Sequence, residues 1–300
     1  MLNDKLKNYL YLHLIVFIWG FTAVLGALIT IDAIPLVWFR MFLASIFVWF
    51  YIAFKKFPLK VPKKAFYTFI VAGITIALHW IFFFKAIKVS NVSVTLATVS
   101  TGAFFTAILE PIFYKRKMIW YEIVFGLLVI AGLYIIFSVE TSYFLGIILA
   151  LIATLLSATF SLINGKLAKQ YKPSIISFYE LSSGVAFITL YLIFTNGFSA
   201  EFFVLSASDW IYLLLLASIC TAYAFIGSVK VMKLISPYTV MLTINMEPIY
   251  GIILAFVILG SSEEMSEGFY IGALIILSTV LANGILKNSL KRKVPVGQTK

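Results

Sequence analysis

Charge is what this chain has least of. Only 12% of its 300 residues are Asp, Glu, Lys or Arg, where a soluble domain carries about a quarter. So few ions cannot cover a water-facing surface, which excludes a soluble globular protein and leaves lipid as the solvent for most of the molecule. Cys220 is the only cysteine, so neither an internal disulfide nor a cysteine-based zinc site is available. It lies inside an apolar run and reads as packing. The two histidines, His13 and His79, form no His-Glu-x-x-His pair. A Walker-type phosphate loop, a Gly-x-Ser-x-Gly elbow and a paired acidic cluster are also missing. The chain is therefore not read as an enzyme or an ATP-driven pump, and no cofactor or metal is expected.

What is present is apolar: 62% of residues are hydrophobic, including 29 Phe and 16 Tyr. Aromatics in such number suit lipid-facing surface and interfacial belts. A helix needs about 20 apolar residues to cross the hydrocarbon. Ten segments qualify, near 10–29, 35–54, 65–84, 91–113, 119–138, 143–163, 174–194, 209–228, 237–259 and 268–286. Lys5 and Lys7 before the first run resemble a signal peptide, but the run is too long for an h-region, so it reads as a retained membrane helix. Short connections and the need to satisfy backbone groups within lipid predict a helical bundle.

The basic residues sort by side. Twenty of the 23 fall on the side of the N-terminus, and two, Lys85 and Lys88, on the other. Arg40 lies within a helix. This bias reads as topology, with both termini cytoplasmic, and removes the nucleic-acid reading that a net charge of +11 would otherwise invite.

The two halves resemble each other. Lys85-Ala86-Ile87-Lys88 matches Lys230-Val231-Met232-Lys233, and Val94, Leu96 and Gly126 align with Val240, Leu242 and Gly272. Five helices per half is an odd number, so the second copy inserts upside down. The expectation is an all-α membrane protein of ten transmembrane helices as two inverted five-helix repeats: 1–140, then 141–290, then a basic cytoplasmic tail, 291–300. Transporters built this way bind solute near the midplane, between the repeats.

An ordered set of motifs then carries a resemblance. Trp19-Gly20 lies in the first helix, and Pro35 precedes Arg40 by five residues in the second. Phe84-Lys85-Ala86-Ile87-Lys88-Val89-Ser90 joins the third and fourth helices, and Glu247-Pro248 lies in the ninth. Over nearly its whole length the chain resembles the drug/metabolite transporter superfamily, in particular its EamA-type members. The Leu-Gly-Glu run that such proteins often carry after helices 4 and 9 is replaced by Tyr114-Lys115-Arg116-Lys117 and stretched to Leu259-Gly260-Ser261-Ser262-Glu263. No role is transferred to those acids. The resemblance implies a secondary transporter moving a small metabolite, an amino acid or other amphipathic solute, across the cytoplasmic membrane by alternating access, in export or exchange. An intramembrane enzyme and a non-transporting scaffold or sensor are the competing classes. The expected partners are a small-molecule solute and the lipid bilayer, with a homodimer left open and nucleic acid excluded.

Polar groups within the hydrocarbon are costly and mark candidate sites. Glu247 lies about 15 Å into the ninth helix, at 1.5 Å per residue, and Pro248 should interrupt that helix. The repeat sets Thr101 opposite Glu247 and Gly102 opposite Pro248. Glu247 reads as a cavity carboxylate for a cation, an amine or a proton, against a competing structural role. Thr98, Thr101, Asn245, Ser161, Asn164, Trp19 and Tyr223 join it as candidate solute contacts. Thr154, Ser157, Ser161 and Asn164 share one helical face, although such stripes also serve close helix packing. Arg40, Glu180, His79, Pro248 and Gly102 are assigned gating or structural roles.

Overall fold

The computed structural model describes residues 4–115, 120–235, 240, 243–244 and 246–293. Among them every regular element is helical: α1 Asp4–Leu28, α2 Ala33–Phe54, α3 Lys63–Val89, α4 Val92–Val99, α5 Gly102–Tyr114, α6 Trp120–Val139, α7 Phe144–Leu167, α8 Pro173–Phe194, α9 Ala207–Ala217, α10 Ala224–Val231, α11 Glu247–Leu259 and α12 Glu267–Lys293. A π-helical turn, Ser218–Tyr223, joins α9 to α10. Seven helical stretches are long and apolar enough to cross a membrane, counting α4 with α5 and α9 with α10; Ile123–Val139 and Glu267–Asn283 are shorter apolar helices. Phe54 and Phe194 are 82% and 81% exposed. Outward-facing aromatics at helix ends suit a membrane interface. The chain is a multi-pass membrane protein.

Local signals set the helix starts. The Asp32 carboxylate caps α2 through the Ala33 N–H at 2.8 Å, and Asn91 caps α4 through Val94 N–H at 2.8 Å. Ser206 caps α9 through Asp209 N–H at 3.1 Å. Pro173 opens α8 at a position whose N–H has no helical acceptor to lose. Pro248 does the same near the start of α11. It therefore lies at a helix start rather than kinking a helix interior, and the break falls just upstream, at Met246.

The fourth expected span is also broken. α4 ends at Val99 and α5 starts at Gly102, with Thr101 between them at φ −71°, ψ 0°. The two breaks fall within a residue of each other in the repeat register. Packing is reciprocal as well: α1 lies against α11, and α7 against α4 and α5; α2 crosses α8, and α6 pairs with α12. Glycine permits the closest approaches. A Cβ on Gly20 would sit 3.0 Å from Gly251 N, and one on Gly132 2.9 Å from Gly272 O. Neither crossing has space for a side chain between the backbones.

Candidate functional site

Both halves wall one internal cavity. α1 contributes Trp19 and Thr22, α2 contributes Arg40, and α3 contributes Ile76, His79, Trp80 and Phe83. Val99 closes it at the end of α4. From the second half come Thr154, Ser157, Phe160 and Ser161 of α7, Phe225 and Ser228 of α10, then Met232, Ile244 and Glu247. The cavity holds about 70 Å³ of space for water centres.

Arg40 is 1% exposed and closely held. Its Nε donates to Thr221 Oγ1 at 2.7 Å, and its guanidinium lies 3.9 Å from the Trp80 ring centroid. A planar cation stacked on indole in a desolvated site is strongly attracted. The π turn prepares this arrangement. Thr221 reaches back five residues and donates to Leu216 O at 2.7 Å, leaving its oxygen to accept from Arg40. The same turn presents the Cys220 carbonyl to Trp19 Nε1 at 3.2 Å. π turns recur where helices build sites.

Glu247, the first residue of α11, is 8% exposed. The α1–α11 crossing at Gly20 and Gly251 sets its depth, because the Glu247 carbonyl itself lies against Gly20. Arg40 and Glu247 both line this cavity, yet they form no direct ion pair among the described residues. His79 bonds the Ala153 carbonyl through Nδ1 at 2.8 Å. A carbonyl can only accept, so Nδ1 carries the proton, and in the neutral ring Nε2 is an acceptor.

The other sequence candidates are placed differently. Trp19 and Ser161 line the cavity. Thr98 and Thr101 do not: both are 0% exposed, and their hydroxyls donate to the carbonyls of Val94 and Thr98 at 2.8 Å each. They serve the broken helix backbone. Gly102, the first residue of α5, and Pro248 are buried at the two breaks. Asn164 lies beyond the cavity and donates to Glu180 Oε1 at 2.9 Å. Tyr223 ends the π turn, 48% exposed and edge-on to Tyr11. Asn245 lies outside the described residues. The sequence reading passed over Thr22, Ile76, Trp80, Phe83, Phe160, Phe225 and Ser228. Spacing was the available signal: Ile76 and Phe83 lie three and four residues from His79, and Thr22 lies three from Trp19.

At the end of the bundle that carries Asp32, acids tie one half to the other. Asp209 accepts from Thr30 N–H and Thr30 Oγ1, each at 2.7 Å. Glu263 accepts from Val92 and Ser93 N–H at 3.1 and 2.8 Å, capping α4 from across the repeat boundary. Glu140 accepts from Ser266 Oγ at 2.7 Å. Asp32 pairs with Lys85 at 3.1 Å. Partial burial pushes its carboxyl up, but the Ala33 N–H and Lys85 outweigh that and hold it below the usual aspartate range.

A helical membrane bundle whose two similar halves enclose a cavity bearing charged side chains is an arrangement found among membrane transport proteins. The EamA-like transporter family model matches residues 6–138 and again 144–284, and the chain belongs to that family. Twenty-nine chains of solved structures match it. One, titled only as the crystal structure of a protein, superposes with a TM-score of 0.68 at 15% identity, covering 95% of this chain and 98% of that one; this likeness speaks to the fold alone. No curated protein matches the chain.

Proposed function

We propose that this chain is a secondary transporter for a small amphipathic, amine-bearing metabolite of the amino-acid type, working by alternating access at the cavity between the two halves. The observation that carries the reading is one cavity bearing both Arg40 and Glu247, with aromatic walls supplied by the two halves. Opposite charges that share a cavity without pairing suit a zwitterion. Glu247 receives the ammonium group, and the guanidinium, whose Nη1 lacks an acceptor, receives the carboxylate. Trp19, Phe83, Phe160 and Phe225 pack the apolar part of the solute.

In this reading the chain has ten crossings as two inverted repeats, 1–140 and 141–290. Both termini, including the basic tail 291–300, lie in the cytoplasm, and the Asp32 end faces outward from the cytoplasmic membrane. The twenty-to-two split of basic residues supports that orientation. The carboxylate ties at the Asp32 end then hold the outer side shut. Export or exchange is the direction the family suggests.

The test compares metabolite pools of cells with and without the protein, then measures counterflow of the enriched solutes in liposomes. Amine-bearing solutes should exchange, and Glu247→Gln should weaken their binding at every pH. If the glutamine variant keeps exchange but loses proton-driven accumulation, Glu247 carries a proton instead. Normal binding, flux and pH dependence in that variant would remove Glu247 from the mechanism.

A further inference from the structure

A second buried carboxylate lies outside the cavity. Glu180 on α8 is 0% exposed, as is Asn164 on α7. Asn164 Nδ2 donates to Glu180 Oε1 at 2.9 Å. The remaining oxygens of this pair, Glu180 Oε2 and Asn164 Oδ1, have no partner. Both are acceptors when the carboxyl is ionised, so the ionised pair leaves two buried acceptors orphaned and one negative charge unopposed.

The surroundings offer no counter-charge. α2, α3 and α10 pack against α8. α2 brings Arg40, bound to Thr221 and Trp80. α3 brings His79, bonded to the Ala153 carbonyl, with its lysines near the two helix ends. α10 brings Lys230, which is exposed. On α7, Lys166 donates to the Phe113 carbonyl. On α8, neighbouring Tyr179 donates to the Leu59 carbonyl. Among the described residues none of these pairs with Glu180. A metal ion is no better answer, since hard cations take six or more oxygens and no cluster of three His, Cys, Asp or Glu exists among the described residues.

One proton resolves all three problems. On Oε2 it removes the charge and converts an orphaned acceptor into a donor. Asn164, already bonded to this carboxyl, supplies an orphaned acceptor on its other amide atom. We propose that Glu180 and Asn164 form a proton-binding site, distinct from the solute cavity and occupied in this conformation. The α7 stripe links the two sites: Thr154, Ser157 and Ser161 line the cavity, and Asn164 follows Ser161 by one turn. The site's occupancy does not depend on which solute the cavity takes.

Infrared difference spectroscopy of the full chain in liposomes, without solute, reads the proton directly. The wild type should show a carboxylic-acid C=O band at neutral pH that disappears in Glu180→Gln, persists in Glu247→Gln and shifts in Asn164→Leu, where its hydrogen bonds are lost. Thermal melting gives a second readout. The folded chain holds a proton that the unfolded chain releases, so wild-type stability falls as pH rises, and in Glu180→Gln that fall disappears. If Glu180→Gln fails to fold, Glu180→Asp should keep the band at a displaced frequency. A band unchanged in Glu180→Gln, or in Glu180→Asp where only that variant folds, would overturn the proposal. So would a band lost only in Glu247→Gln. Neither result would bear on whether the solute is transported.

Discussion

Replacing Arg40 with lysine keeps the charge and removes the shape. The guanidinium makes a 2.7 Å bond to Thr221 and lies 3.9 Å from the Trp80 ring centroid. A hydrogen bond from a charged group contributes about 1.5–3 kcal/mol, and a desolvated cation–π contact about 2 kcal/mol. Lysine keeps some of the second and loses the first, because its ammonium cannot occupy the Nε position and stack at once. Arg40→Lys should therefore cost about 3 kcal/mol, on the order of a hundredfold in the folding equilibrium. Thr221→Val orphans the same Nε from the other side, whereas Thr221→Ser keeps the hydroxyl and should be close to wild type. The assay is reversible unfolding in mixed micelles, arranged as a double-mutant cycle. The two single losses should overlap by about 1.5 kcal/mol or more in Arg40→Lys/Thr221→Val. Strict additivity would show that the 2.7 Å contact carries no energy, and the account of the π turn as a seat for Arg40 would fail.

Further expectations concern topology, latching and packing. Reporter fusions at residue 300 and within 60–64 should both signal cytoplasm; an external signal from either would break the inverted-repeat assignment. Glu263→Gln keeps the size but loses the charge that caps α4, and should cost about 1–2 kcal/mol in the same unfolding assay. On a Cys220→Ala background it should also speed labelling of Ser93→Cys by an impermeant maleimide from outside, and unchanged labelling would remove Glu263 from the latch. Gly20→Ala gains about 1 kcal/mol of helix propensity but meets Gly251 N at 3.0 Å, an overpacking cost of about 1–3 kcal/mol. A modest net loss of stability should follow, and a clear gain would mean that the crossing is looser than described.

Hydropathy made seven of the ten expected spans readable, because burial in lipid acts on stretches of about 20 residues regardless of tertiary contacts. The breaks near Thr101 and Met246 were readable too, since a repeat register compares two parts of one chain. The pairing of side chains was not. The face that carries Thr154, Ser157 and Ser161 also carries Asn164, and periodicity cannot say where the cavity stops and the Glu180 pocket begins. Hydroxyls at Thr98 and Thr101 looked available, but in a helix a threonine can return its proton to the preceding turn. Tyr223 was a candidate only as an aromatic residue among many; it ends the π turn, half exposed and edge-on to Tyr11, and composition alone carries no signal for which aromatics face a cavity.

That turn has a consequence for which lengths of chain can still make this cavity. A π turn arises when one extra residue is accommodated in a helix, and each residue of an α-helix advances the face by about 100°. Deleting a single residue from Ser218–Tyr223, even lipid-exposed Ile219, would let α9 and α10 run on as one regular helix. The faces on either side would keep their directions, because the bulge itself absorbs the extra residue, but the wide turn that seats Thr221 against Leu216 and Arg40 and turns the Cys220 carbonyl to Trp19 would close. A conservative substitution at Ile219 should be silent, whereas its removal should be severe. Between α9 and α10 the chain is thus constrained in the number of its residues more tightly than in their chemistry.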